Sequence, residues 1–253
     1  MNIIITAANN AYFESLKTLV SSIHRTSHDV VDKIYVYDLG LDINEINYIN
    51  GLEKCEVLDL KSLINPLPFD DYLLPKGYAF KCFCLQHPKG DDNVLWLDAG
   101  VMALKSLIPM FEIIQNEDIF TVGDIHLNKN FTKPLCAEIM KASESELNDV
   151  QLSAGIIGYK LNGKFQHLFN EAFEYSKIDG CVLGDENNHR HDQSVYSILV
   201  SRYGVNKQDI DIYGYWTDSN RNLQTAINND AVIFVHRRGH HDISGLKHKN
   251  EKN

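Results

Sequence analysis

The chain has 253 residues, 44% hydrophobic and 23% charged, with a formal net charge of -10. That length is enough for one sizeable core, and the acidic balance excludes nucleic acid as the main partner, since phosphate binding needs a concentrated basic surface. No apolar run is long enough for a transmembrane segment, and MNIIITAANN lacks the basic region and long apolar core of a signal peptide. The five cysteines (Cys55, Cys82, Cys84, Cys136, Cys181) form no C-x-x-C pair. Together these features predict a cytoplasmic protein with reduced thiols and no zinc site built from cysteine.

Taken in order, NIIIT (2–6) reads as a buried strand opening into the small-residue loop TAANN. AYFESLKTLVSSIHR places Phe13, Leu16, Leu19, Val20 and Ile23 at helical spacing, with Glu14, Lys17, Ser21 and Ser22 on the opposite face. KIYVYDLG is a second strand, EINYINGL a short helix and CEVLDL a third strand. Strands alternating with helices predict parallel β-α-β units. NPLPFDDYLLPKG, with three prolines, is expected as a surface loop. A helix at YAFKCFCLQHP follows and stops before Pro88. NVLWLD is the next strand, LIPMFEIIQN a helix, DIFTVG a strand and PLCAEIMKA a helix. LSAGIIGYK is a strand, KFQHLFNEAFEYSK a long helix and DQSVYSILV another, while DIDIYG and AVIFVHRR supply two late strands. No linker divides the chain. Residues 1–242 are expected as one α/β domain, and 243–253 as a short, basic, flexible tail able to make only weak contact with an anionic membrane.

Several polar positions fall at the ends of these elements. TAANN offers backbone N–H groups at a strand-to-helix turn, without the G-x-G-x-x-G or P-loop pattern. Asp38 ends the second strand, either as a turn residue (the reading local sequence favours) or as a partner for a ribose or base. Asp98 ends the apolar run VLWL, as a cap or as a ligand facing a crevice. GDENNHRHDQS holds Asp185, Glu186, His189, His191, Asp192 and Gln193, more polar groups than one helix cap requires. FVHRRG takes His236, a potential metal ligand, directly into Arg237 and Arg238, whose guanidinium groups suit phosphate. Lys81 lies near a helix start, where solvation is the default and balancing phosphate charge the alternative.

In that order, IIITAAN, GYAFK, VLWLDAG, LSAGIIGY, HDQSVYSIL and VHRRG resemble a GT-A-type glycosyltransferase over residues 2–242. DQS resembles the Asp-Gln that opens a helix in family-8-type retaining enzymes. VLWLDAG stands where those enzymes carry Asp-x-Asp, and is closer to a poorly characterised glycosyltransferase-like group in which that motif is reduced to Asp and two small residues. The resemblance implies one Rossmann-like domain with a mostly parallel central sheet flanked by helices. It further implies that Thr6, Ala7, Ala8 and Asn9 line a nucleotide pocket, with Asp38 near the base or ribose and Lys81 near the phosphates. Ser153, Ala154 and Gly155 would floor the sugar site, and Asp192 and Gln193 would lie near the anomeric carbon. Asp98 would face the metal or the diphosphate and His236 would be the late metal ligand, so that the two are expected to share a divalent metal, Mn²⁺ or Mg²⁺. Arg237 and Arg238 have no family counterpart, but their chemistry assigns them to the leaving phosphate. Gly100, in place of the second acid, is the main departure from the family pattern.

The implied partners are a nucleoside diphosphate sugar, UDP-linked by default, and a glycan, polysaccharide or lipid-linked acceptor. A sugar nucleotidyltransferase would use similar groups but with a Gly-rich basic first loop, which TAANN is not. An inactive nucleotide-sugar-binding protein of the same fold is the other alternative.

Overall fold

In the computed structural model, which describes residues 1–90 and 92–249, most of the apolar runs become strands of a six-stranded sheet. The described residues form nine strands: β1 (Asn2–Ala8), β2 (Lys33–Asp38), β3 (Cys55–Leu58), β4 (Asn93–Leu97), β5 (Val101–Ala103), β6 (Ile119–Leu127), β7 (Val150–Lys160), β8 (Tyr215–Trp216) and β9 (Ile233–Val235). The main sheet has the order β3-β2-β1-β4-β7-β6. Only β7 runs against the others, so the sheet is mostly parallel, as expected.

Both faces of this sheet are covered, which is why its central strands read as continuous apolar runs rather than alternating ones. Ile3, Ile5, Val94 and Trp96 pack into one core layer. Ile4, Leu95 and Leu97 pack into the other, with Leu16, Leu19, Val20 and Ile23 of the helix Phe13–Ser27. No helix among the described residues is long and apolar enough to cross a membrane.

Three expectations are corrected. First, Ser21 and Ser22 do not face solvent; both are buried, because a second layer of chain covers that side of the helix Phe13–Ser27. Their hydroxyls dock it: Ser22 Oγ donates to Leu19 O and accepts from Ala103 N (3.0 Å), and Ser21 Oγ accepts from Gly245 N (2.9 Å). Ser22→Ala leaves the Ala103 N–H buried without its partner and is expected to cost about 1–3 kcal/mol, measurable by urea unfolding.

Second, residues 243–249 are not a loose tail. Lys247 N donates to His24 Nδ1 (3.0 Å), Glu53 N donates to Lys247 O (2.8 Å), and Lys249 Nζ donates to the carbonyls of Asn50 and Cys55. Burial above all lowers the His24 pKa to about 4, so its ring is neutral. With Nδ1 accepting, the proton sits on Nε2 and is donated to Glu53 O at 2.9 Å. The last four residues of the expected tail, 250–253, lie outside the described residues.

Third, DIDIYG is not a strand. Asp209 accepts from Asp211 N and starts the one-turn helix Ile210–Tyr213, and only Tyr215–Trp216 beyond it is extended. The extended pair β8 joins β5 and β9 in a second sheet of order β5-β9-β8. That sheet pins the connection after Asp98 against the residues after β9: His236 N and Arg237 N both donate to Gly100 O, at 3.0 and 2.9 Å.

Candidate active site

A cleft of about 850 Å³ opens where the carboxyl ends of β1 and β4 meet the middle of β7 and the far end of β6. Open α/β sheets bind ligands outside the carboxyl ends of their parallel strands. Of the residues anticipated from sequence, Ala7, Ala8 and Asn9 lie at its β1 edge, and Ser153, Ala154 and Gly155 lie along β7. Lys81, Asp98, Asp192, Gln193, Arg237 and Arg238 also line it.

At its floor, the Lys81 ammonium lies 2.9 Å from Asp98 Oδ1 and 3.4 Å from Asp192 Oδ2. Three elements create this meeting. The helix Ala79–Gln86 starts after Tyr78 in the left-handed region and buries Lys81 on its first turn. Asp98 follows β4, its N–H donating to Gly155 O at 2.9 Å. Gly155 keeps room for the carboxylate: a Cβ there would lie 2.9 Å from Asp98 Oδ2. Asp192 begins the helix Asp192–Arg202, directly after His191 at φ 52° and ψ -125°. Holding a non-glycine residue there costs about 1–3 kcal/mol, and such strain is concentrated at functional sites.

Burial, reinforced by the charge of Asp98 and opposed by Lys81, raises the Asp192 pKa to about 6. Burial also works against the Lys81 charge, but the two carboxylates outweigh it and hold the ammonium above the ordinary lysine range. Lys81 is therefore a fixed cation shared between two acids.

Trp96 completes the cluster. Its indole N–H donates to Asp98 Oδ1 at 2.6 Å, and the Lys81 ammonium lies 5.0 Å from its ring. This role was legible in principle: residues two apart on a strand share a face, and a buried indole N–H needs an acceptor. Trp96→Phe is expected to cost about 1–3 kcal/mol, read from a thermal or denaturant melt.

A second polar group joins the anticipated Gln193 to Arg190 and Asp124, which line the same cleft without having been anticipated, and to the buried Gln151 behind them. Arg190 donates to Asp124 Oδ2 (2.8 Å) and Gln151 Oε1 (3.0 Å) while stacking on Phe131, and Gln193 Nε2 donates to Gln151 Oε1 (3.0 Å). Asp124 carries no local signal, because β6 continues beyond the expected DIFTVG into the polar GDIHL. Gln193 is thereby held in a defined orientation.

Three anticipated residues are elsewhere. Thr6 is fully buried and does not line the cleft. Asp38 also stands outside the lining; its Oδ1 accepts from the backbone N–H of Gly40 and Leu41, which is the turn role. His236 is buried, with its ring 6.0 Å from that of His240 and 6.4 Å from that of Phe234, and it is not among the cleft residues. Alternation along β9 explains this: Val235 faces the cleft, so His236 takes the opposite side, with Phe234.

A divalent metal shared by Asp98 and His236 is disfavoured at its Asp98 end, although both ring nitrogens of the buried His236 lack a hydrogen-bond partner. Asp98 Oδ1 already accepts from both Lys81 and Trp96. Position 100 cannot supply a second acid, since a Cβ there would lie 2.6 Å from Arg237 O and 2.9 Å from Arg237 Cα. Among the described residues, no three His, Cys, Asp or Glu side chains converge as a metal site.

The sheet and the helices that flank it form a GT-A-type fold, shared with solved glycosyltransferases. Among solved structures, the chain is similar to WbbM, a bifunctional glycosyltransferase, with a TM-score of 0.63 and 14% identity over 95% of this chain and 46% of that one. The chain thus spans less than half of WbbM's length. It is also similar to the galactosyltransferase LgtC in complex with donor and acceptor sugar analogues (TM-score 0.55, 12% identity, 96% of this chain and 91% of that one). Mouse xyloside xylosyltransferase 1 matches with a TM-score of 0.56 and 11% identity, over 92% of this chain and 96% of that one. At these identities the likeness establishes the fold. No sequence family matches the chain, and no curated protein sequence matches it.

Proposed function

We propose that this protein is a glycosyltransferase that moves a sugar from a nucleoside diphosphate sugar, with UDP as the favoured nucleotide, to a glycan, polysaccharide or lipid-linked acceptor. The observation that carries this reading is the buried Lys81 bridging Asp98 and Asp192 on the floor of a cleft, in a fold shared with glycosyltransferases. A buried cation between two acids is costly to maintain, and fixed charges of this kind suit a reaction in which charge develops at a defined place.

In the proposed step, the bond between the anomeric carbon and the diphosphate oxygen breaks, and its electron pair leaves with the nucleoside diphosphate. The acceptor hydroxyl oxygen forms the new bond to the anomeric carbon. The Asp-Gln pair favours retention, in which the hydroxyl proton passes to the departing phosphate oxygen on the same face. Gln193, oriented through Gln151, offers its amide to the sugar. LgtC has been solved with an active-site glutamine changed to glutamate, which accords with a role for an amide in such a cleft. Asp192, ionised above about pH 6, stabilises positive charge developing at the sugar ring.

The test is a hydrolysis screen across UDP, GDP and CMP sugars, followed by NMR of the anomeric configuration of the transfer product. Release of nucleotide with a retained linkage is expected, while a purely inverted product would reassign Asp192 as general base. Pyrophosphate release from a nucleoside triphosphate and a sugar phosphate would point to a nucleotidyltransferase instead. Donor binding without turnover would point to an inactive binding protein.

A further inference from the structure

We infer that the charge of the departing diphosphate is met by Arg237 and Arg238 and not by a divalent metal; this deepens the proposed glycosyl transfer and rests on it. The chain segment that closes position 100 to an acid is the same one that carries the two arginines. Gly100 O accepts from both His236 N and Arg237 N. Arg237 stands at φ 58°, and its carbonyl occupies the space an acidic side chain at position 100 would need. The loop is held from the other side as well, by Ser15 Oγ donating to Arg237 O (3.2 Å) and Gly239 N donating to His236 O (2.9 Å). Its backbone is thus fixed while both arginines line the cleft.

Among the described residues that line the cleft, these two are the Lys or Arg side chains left without a carboxylate partner. Lys81 is committed to Asp98 and Asp192, and Arg190 to Asp124. Among the described residues no carboxylate pairs with Arg237 or Arg238, and Arg238 rests over the Tyr12 ring at 5.1 Å. Lys81 also serves the arrangement, because it cancels the Asp98 charge that would otherwise repel the diphosphate without a metal between them. When the bond from the anomeric carbon to oxygen breaks, the electron pair stays on the phosphate oxygen. Planar guanidinium groups can receive that added charge through paired N–H donors.

The experiment is calorimetric titration of UDP, GDP and CDP into the whole protein, in excess EDTA and in excess Mn²⁺. Electron paramagnetic resonance of free Mn²⁺ is recorded on the same samples. The expected result is binding of one diphosphate in EDTA that excess Mn²⁺ does not strengthen, with no protein-dependent loss of the free Mn²⁺ signal beyond that of nucleotide alone. Arg237→Met with Arg238→Met should weaken binding about ten- to hundred-fold per arginine and flatten its salt dependence. Both sites are exposed, and matching melting curves confirm that the variant is folded. Binding only with Mn²⁺, or full affinity in the double variant, overturns the inference while leaving the proposed transfer standing. If none of the three diphosphates binds in either medium, the proposed donor class falls and the inference with it.

Discussion

Asp192→Asn is expected to make the protein more stable at about pH 8, by up to about 3 kcal/mol, while lowering sugar transfer by about 10²–10⁴-fold. The stability gain follows from the raised acidity constant. Asp192 ionises near pH 6 in the folded chain, against an ordinary value of 3.8. Between these values the folded state holds a proton that the unfolded state has lost, so stability falls as pH rises through the window and stays lowered above it. Asparagine removes that cost because it never ionises, and Asp98 remains at 2.9 Å to pair Lys81. The difference between variant and wild type should therefore shrink towards zero near about pH 4. Urea unfolding of both proteins across this range is the check, and a variant less stable than wild type at high pH would contradict the assignment. A loss of activity with a gain of stability is the pattern expected of a functional acid kept at a structural cost.

Gly100→Asp, which restores the second acid of Asp-x-Asp, is expected to destabilise the protein by about 2–4 kcal/mol instead of creating a metal site. The new Cβ would meet the Arg237 carbonyl and Cα, both of them backbone atoms that no rotamer change can move aside. Relief requires breaking the pairing of Gly100 O with His236 N and Arg237 N, which also anchors the segment bearing the arginines. Gly100→Ala should show most of the same loss, since the clash arises at Cβ. Denaturant midpoints of the two variants test this, and wild-type stability in either would mean that the loop yields easily.

The parts of the fold legible in the sequence are those whose burial leaves a simple pattern. NIIIT, KIYVYD and NVLWL have apolar centres because helices cover both faces of the sheet. By contrast, β5 and β8 have three and two residues, too short for any periodicity. The polar end of β6 carries Asp124 into the cleft and so lacks the alternation of a half-buried strand. Ser21 and Ser22 looked solvent-facing because nothing local announces that residues 100–107 and 240–247 fold over them.

The site divides in the same way. Asp98, Asp192 and Lys81 were each recognisable by position at the end or start of an element. Their meeting around one ammonium depends on three segments separated by up to 111 residues, and on the burial of a lysine, which is rare without partners. His236 is a candidate metal ligand by its residue type and its place after a strand. The side it faces depends on the register of β9 against β5, which a three-residue strand does not reveal. Gly100 was visible as a departure from the family pattern, but its cause, the Arg237 backbone, lies 137 positions further along the chain.

We propose that the Lys81–Asp98–Asp192 cluster serves the transfer of a sugar from a nucleoside diphosphate donor. The most direct test is single-turnover release of nucleoside diphosphate from UDP-sugars, comparing wild type with Asp192→Asn at equal folded fraction. Release by wild type that falls about 10²–10⁴-fold in the variant is the result predicted. Equal release by both proteins, or release by neither from any nucleotide sugar, would contradict it.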